Sequence, residues 1–335
     1  MARWKRRPDG SNWGDFGPDD QRGRLNLIGP EQVLKGVREV RDGRSFCLSL
    51  PLDYPGGNLL NPRRHPPVLR PTSRGKAANF NYALSSDDGE LVDVISDDLV
   101  ILHTQYSTQW DALSHVGQEF DADGDGVAER VYYNGFRAGE HVVDDGEAGS
   151  SARRLGIENM AVTGVQGRAV MIDLFAAFGR ERKLVGYKDL MAVMTADGVT
   201  VEKGDMVCLH TGYAELVLEM ERRPEPDKLH GACPVLDGRD PGILDWVSES
   251  GLAVLIADNY AVEAYPARAA EGRHASLPLH EHCLFKLGIH LGELWYLSAL
   301  ARYLRDRSRF RFLLTAPPLR LPGAVGSPVT PVATV

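Results

Sequence analysis

An aspartate and a histidine stand four residues apart in Thr108-Gln109-Trp110-Asp111-Ala112-Leu113-Ser114-His115. A carboxylate and an imidazole at this spacing can share one metal ion or pass one proton between them. The same pair also serves as an ordinary hydrogen-bonded contact, because paired titratable groups mark functional sites only statistically. Three later features are as polar: His280-Glu281-His282, the stretch 288–293 ending in Glu293, and the Gly/Pro-rich run 317–331.

These residues need elements to hold them. The run 98–103 reads as a buried strand that ends in polar residues, and chemistry at a strand end is common in α/β enzymes. Pro30 at a first turn, Val33, Leu34, Val37 and Val40, and a stop at Gly43 predict a helix over 30–42. A short strand is expected at 46–52. The segment 54–82 is long, basic and Pro-rich; it reads as a cover, a subunit contact or a solvated loop. Beyond it, strands expected at 169–174, 206–210, 252–257 and 310–315 alternate with helices at 188–195, 213–222, 241–250, 279–287 and 299–305. That alternation argues for α/β. No repeat or linker stands out, so the expectation is an irregular segment 1–29 followed by a single α/β domain, 30–335.

Composition narrows the function classes. The chain has 335 residues, 43% of them apolar, enough for a sizeable core. Its net charge of −8 argues against nucleic acid as a partner, since phosphate binding needs clustered cations. The basic start (Arg3, Lys5, Arg6, Arg7) is a solvated tail on this reading. Cys47, Cys208, Cys233 and Cys283 form no C-x-x-C pair, which suits reduced thiols in a cytoplasmic protein. No apolar run approaches the ~20 residues that span a bilayer. The expected partners are a small-molecule substrate and further copies of the chain, as a dimer or tetramer, with no nucleic acid and no membrane. Asp121-Ala122-Asp123-Gly124-Asp125-Gly126 opens like a calcium loop, but Tyr132 occupies the twelfth position, where Glu is needed. An acidic turn is the better reading.

Taken in order, Thr108, Asp111 and His115, Tyr133-Asn134-Gly135, the stretch 167–173, Gly204-Asp205 leading to Thr211-Gly212, His280, Leu284, Gly288-Ile289, Glu293 and Gly326-Ser327-Pro328 resemble the cyclase family of bacterial kynurenine formamidases and isatin hydrolases. The resemblance runs from about residue 20 to 333. It implies a swivelling β/α/β domain with a mixed sheet, and cleavage of an amide, lactam, ester or lactone at a C–N or C–O bond with a divalent metal ion, Mn or Zn. Two motif histidines of the family fall on Gln105 and Gln109 here. A Gln amide oxygen is a hard, neutral ligand that suits Mn or Mg better than Zn. On this basis the expected metal ligands are Gln109, Asp111 and Glu293. The expected catalytic groups are His115 and His280, and the expected substrate contacts are His103, Gln105, Trp110 and Asp258.

Two other readings stay open. Without a metal, Gln105 and Gln109 would orient a carbonyl while Asp111 orients His115 as a general base, for a cyclisation, dehydration or isomerisation. A non-enzymatic binding protein is the third, though it has no chemical need for Asp111, His115, His280 and Glu293 together. Trp110 suits a pocket wall or a core. Asp258 and Asn259, with Glu263 close behind, suit a pocket lining or a helix cap. His282 lies two residues from His280 on the expected helix and so points elsewhere, to surface or packing. His210, His230, His274 and His290 have no nameable partner and read as structural or exposed.

Overall fold

The computed structural model describes residues 2–335 apart from 145, 147 and 148. Nine strands build one sheet: β1 (Ser45–Cys47), β2 (Gln109–Asp111), β3 (Gln166–Asp173), β4 (Met206–His210), β5 (Val254–Ala257), β6 (His290–Glu293), β7 (Arg311–Thr315), β8 (Gly326–Pro328) and β9 (Val332–Thr334). Their order is β1-β9-β7-β3-β4-β5-β6-β2-β8. The neighbours from β3 to β6 run parallel, and the flanking neighbours run antiparallel. The main helices are α1 (Pro30–Arg38), α2 (Tyr187–Ala196), α3 (Tyr213–Glu219), α4 (Pro241–Glu249) and α5 (Ser298–Arg305). The α/β class is the one that the alternation implies, and the mixed sheet is the one that the family resemblance implies.

Side chains of a strand point alternately to its two faces, and here both faces are covered. In β3, Val170 and Ile172 enter one core, and Ala169 and Met171 the other. Val207 and Leu209 of β4 are likewise separated from Met206 and Cys208. A strand buried on both sides has no polar face to show, so 206–209 and 254–257 are unbroken apolar runs. Leu190, Val193 and Met194 of α2 and Ile243 and Val247 of α4 close the first core. Leu300, Ala301 and Leu304 of α5 close the second.

Several expectations need correction. The run 98–103 does contain a strand, Asp98–Ile101, but it is exposed and pairs with Val68–Pro71 in a ribbon outside the main sheet. Apolar content predicted its type, but no layer packs over it. The segment 54–82 is not structureless. It carries Val68–Pro71, a hairpin of Ser73–Arg74 with Ala77–Ala78, and Tyr82–Ala83, which pairs with Val94–Ile95. The strand at 46–52 shrinks to β1. The first helix ends at Arg38, and α3 ends at Glu219, before Glu221 and Arg222 take left-handed φ. The helix at 279–287 is one short turn, Pro278–His280, continued as a π-helix, Glu281–Leu287. Such wide turns recur at functional sites. It stops at Gly288, φ +59°, where a Cβ would lie 2.7 Å from the Cα of Gly23.

The irregular start is pinned to this region. Trp13 is buried and donates its Nε1 hydrogen to the Phe285 carbonyl at 2.7 Å. Arg24, also buried, donates to the carbonyls of Val247 (2.8 Å), Ser248 (2.6 Å) and Leu252 (3.3 Å), around the C-terminal end of α4. A cation there satisfies carbonyls that the helix leaves unpaired. Asp121 accepts the backbone N–H groups of Gly124, Asp125 and Gly126, as an acidic turn does. All four cysteines are free, and only Cys47 is exposed. Among the described residues no helix is long and apolar enough to cross a membrane.

His282 is a packing residue. It is buried, with Nε2 2.9 Å from Ser248 Oγ. Burial, reinforced by Lys286, holds its imidazole down at about 4, so it is neutral when folded. In the unfolded chain it titrates near ~6.5. Stability from this group is therefore full above that value and is lost as pH falls toward 4, by about 3 kcal/mol. Melting temperature followed across that window should fall steeply for the native chain and less steeply for His282→Gln. Equal slopes would assign the acid sensitivity to other groups.

Candidate active site

The antiparallel pairing of β2 with β6 sets Gln109 opposite Glu293 and Asp111 opposite Leu291. Alternation then places Gln109, Asp111 and Glu293 on one face and sends Trp110 through to the other. Gln109 Nε2 donates to Glu293 Oε2 at 3.0 Å. Trp110 is fully buried, donates to the Ala316 carbonyl at 2.8 Å and meets Trp295 edge-on at 5.0 Å. It is a core residue rather than a pocket wall.

His280, on the turn before the π-helix, faces the two carboxylates. Its Nε2 lies 3.1 Å from Glu293 Oε1 and 3.9 Å from Asp111 Oδ2. Its Nδ1 lies 2.9 Å from Glu263 Oε1. Glu263 is itself held by the backbone N–H groups of Leu279 (3.0 Å) and His280 (2.9 Å). Burial alone would lower the His280 pKa, but the hydrogen bonds to Glu263 and Glu293 outweigh it and raise it to about 10. Burial, and then Asp111 alongside, pushes the Glu293 carboxyl upward, with His280 opposing.

Asp111, His280 and Glu293 each bring one ligand atom to within 4.8 Å of the others. Two more acceptors are buried without a partner, Asp111 Oδ2 and Gln109 Oε1. Leaving such an atom unmet costs on the order of 1–3 kcal/mol, more for a charged group. A divalent cation held by Asp111, His280 and Glu293 would satisfy the Asp111 carboxylate. Glu263 behind His280 is the carboxylate that fixes ring and tautomer in many metal sites. The donor set therefore fits a divalent ion, with His280 among the ligands rather than apart from them.

His115 closes the turn after β2, its N–H donating to the Ala112 carbonyl at 2.9 Å. Its ring, 23% exposed, is more open than the side chains of Asp111, His280 and Glu293. Gln105 bridges to it: Nε2 is 2.7 Å from Asp111 Oδ1 and 2.8 Å from His115 Nδ1. The carboxylate requires the amide NH₂ on that side, so Nδ1 accepts and the ring proton sits on Nε2. Burial lowers the His115 pKa; Asp111 opposes this, while His280 and Arg64 reinforce it. Gln105 can lie here because β8 sets Gly326 opposite Asp111; a Cβ at Gly326 would come 2.7 Å from Gln105 Cγ.

A narrow cleft reaches Glu293 between Arg64, Gln105, Tyr106 and Tyr260. Arg64 is fastened by donating to the Gln105 carbonyl at 2.6 Å. A neighbouring small crevice shares Tyr260 and is lined by Arg182, Tyr213, Asn259 and Glu263. Both amide atoms of Asn259 and the Tyr213 hydroxyl are buried without partners.

Other expected residues lie elsewhere. His103 is exposed and meets His65, with Nδ1 3.1 Å from the His65 N. Asp258 is a cap: it accepts from Thr211 N (2.8 Å), Thr211 Oγ1 (2.6 Å) and Gly212 N (2.8 Å) at the start of α3. His290 is buried, its Nδ1 2.9 Å from the Asp111 carbonyl. His210 lies between Asp173 (2.8 Å) and Ser298 (3.1 Å), but Ser298 is fully buried, so this Ser-His-Asp line clamps β3, β4 and α5 together. His230 and His274 are exposed. Sequence reasoning missed Arg64 and the bond from Glu263 to His280. Glu263 stands 17 residues before His280, and nothing in the local spacing signals that they meet.

Glu263→Gln should lower turnover by about 10–100-fold while the circular dichroism spectrum stays native, because the imidazole loses its ionic anchor. Gly326→Ala should depress activity similarly by displacing Gln105. Wild-type rates in both variants would remove Glu263 and Gln105 from the site.

The sequence profile of the family described as putative cyclase matches residues 48–264. The crystal structure of a novel cyclase is similar over 97% of this chain and 97% of its own, with 30% identity and a TM-score of 0.75. Isatin hydrolase A from Ralstonia solanacearum aligns with 87% of this chain and 91% of its own, at 16% identity and a TM-score of 0.55. Isatin hydrolase A from Labrenzia aggregata, bound to benzyl benzoate, covers 87% and 93% at 15% identity and a TM-score of 0.55. At those identities the likeness is one of fold. No curated protein matches the chain. On the family profile and the 30% identical structure, the chain belongs to the putative cyclase family.

Proposed function

We propose that this protein is a metal-dependent hydrolase of a C–N or C–O bond in a small amide, lactam, ester or lactone. The observation that carries this reading is the buried set Asp111, His280 and Glu293 with two orphaned acceptors, Asp111 Oδ2 and Gln109 Oε1. A donor set of carboxylates, one amide oxygen and one imidazole suits Mn better than Zn. Bound there, such an ion supplies Lewis acidity, acidifying a water and polarising an acyl oxygen.

The chain's own groups do the rest. Glu263 keeps the His280 proton on Nδ1 and so presents Nε2 toward Asp111 and Glu293. His115 is neutral at the open side and is the acid/base group. Its Nδ1 becomes a proton acceptor when a substrate oxygen takes over the amide N–H that Gln105 now gives it. Arg64 stands at the cleft as a counter-charge to Glu293. The unpaired Asn259 amide is a further polar contact beyond Tyr260.

One observation favours a metal-free acid–base enzyme, a cyclase, dehydratase or isomerase. His280, held protonated between Glu263 and Glu293, can itself serve as the buried cation. Elemental analysis of chelator-free protein separates the two: stoichiometric Mn or Zn is expected, and none would favour the second reading. His115→Ala should cut turnover by about 10²–10⁴ with metal content unchanged; loss of metal would make His115 a ligand. Gln109→His should tighten Zn or Mn binding in calorimetry, since imidazole is the better ligand. Unchanged affinity would count against a metal at this site.

A further inference from the structure

We propose that the substrate carries a free carboxylate, held in the crevice beyond Tyr260 by Asn259, Tyr213 and Arg182 while its scissile acyl group lies toward Glu293. This names a substrate class and rests on the hydrolysis proposed above. Asn259 follows β5, and its carbonyl accepts the N–H of Leu294, the residue after Glu293, at 2.9 Å. It therefore stands at the carboxyl end of a parallel strand, beside the end of β6. Ligands of α/β sheets collect at such strand ends.

The crevice is built of polar groups that lack partners. The Asn259 side chain lines it and is 5% exposed, yet neither its amide nitrogen nor its oxygen is hydrogen-bonded. Tyr213, 2% exposed, lines the same crevice with its hydroxyl unpaired. Buried polar atoms are almost always paired, so three of them around one opening call for a ligand. The opening adjoins the site through two residues. Tyr260 also lines the cleft that reaches Glu293, and Glu263 also holds His280.

Charge selects a carboxylate over a neutral group. Arg182 lines the crevice and forms no ion pair among the described residues. Its positive charge acts on Tyr213, Tyr260 and Cys233. The acids nearby are already matched: Glu263 by His280 and two backbone N–H groups, and Asp258 by Thr211 and Gly212. Burial pushes the Tyr213 phenol well up, so it stays a hydroxyl that can donate. An amide NH₂, a hydroxyl and a guanidinium are donors, and a carboxylate only accepts. The guanidinium fork has N–H groups to spare for Asn259 Oδ1.

Calorimetry on the purified full chain, with succinate, glutarate and adipate as probes, tests this without turnover. At least one diacid should bind, and its diamide should bind about tenfold or more weakly. Asn259→Leu and Arg182→Gln should each weaken the diacid by about tenfold or more. Arg182 is exposed, so the circular dichroism of that variant should stay native. Turnover distinguishes the subsite from the hydrolysis. The nitrophenyl monoester of the same diacid should be cleaved with a kcat/KM about tenfold above that of a neutral nitrophenyl ester of equal length, and Arg182→Gln should abolish the preference. Diacid binding that needs both residues, with neither ester cleaved, supports the subsite and counts against hydrolysis alone. No diacid bound, a diamide bound equally well, or binding indifferent to both variants overturns the proposal, whichever esters are cleaved.

Discussion

The candidate site depends on one register, the antiparallel pairing of β2 with β6. It sets Gln109 across from Glu293 and, two residues on, brings Asp111 to the same face. Shifting that register by one residue would turn Trp110 to the site face and send Asp111 into the apolar core. Three things oppose such a slip. Trp110 is locked against Trp295 and the Ala316 carbonyl, Thr108 donates to the Leu294 carbonyl, and β8 flanks the other edge of β2. The core on one face of the strand therefore secures the chemistry on the other.

Asp111, Glu263 and Glu293 are all buried, with the His280 imidazole among them. Buried charge of one sign is unfavourable unless it is paired, shares a proton or binds a cation. The fold answers part of that demand. Backbone N–H groups and Nδ1 meet Glu263, Gln105 meets one oxygen of Asp111, and Gln109 meets one oxygen of Glu293. Asp111 Oδ2 stays unmet. Functional sites commonly carry such locally unfavourable arrangements, supported by the structure around them. Here the support is the two-sided core and the π-helix that carries on from His280.

How much of this was legible in the sequence differs residue by residue. Gln109, Asp111 and His115 sit within one short motif, so chain spacing alone brought them close. His280 and Glu293 entered through resemblance to a family. Trp110 and Asp258 were legible as polar or aromatic neighbours of the site but not as inward- or outward-facing, because direction depends on the strand's register and on what caps α3. The run 98–101 shows the same limit: its residue types favour a strand, and nothing local says whether a layer will cover it.

The amino-acid sequence by itself determined the α/β class, the apolar runs of the central strands, the free cysteines and the motif that supplies a carboxylate and an imidazole. These follow from residue type and short-range spacing, and they need no partner distant in the chain. Only the tertiary structure decided that Glu263 would orient His280, that Gln105 would set the proton on His115 and that Arg64 would overlook Glu293. It also decided that Asp111 Oδ2 and Gln109 Oε1 would be left without partners. The Glu263 and Arg64 contacts join segments far apart in sequence, and the Gln105 contact, only ten residues long, needs the turn after β2 to fold back on it. Local propensity does not encode such a contact; packing and strand register do.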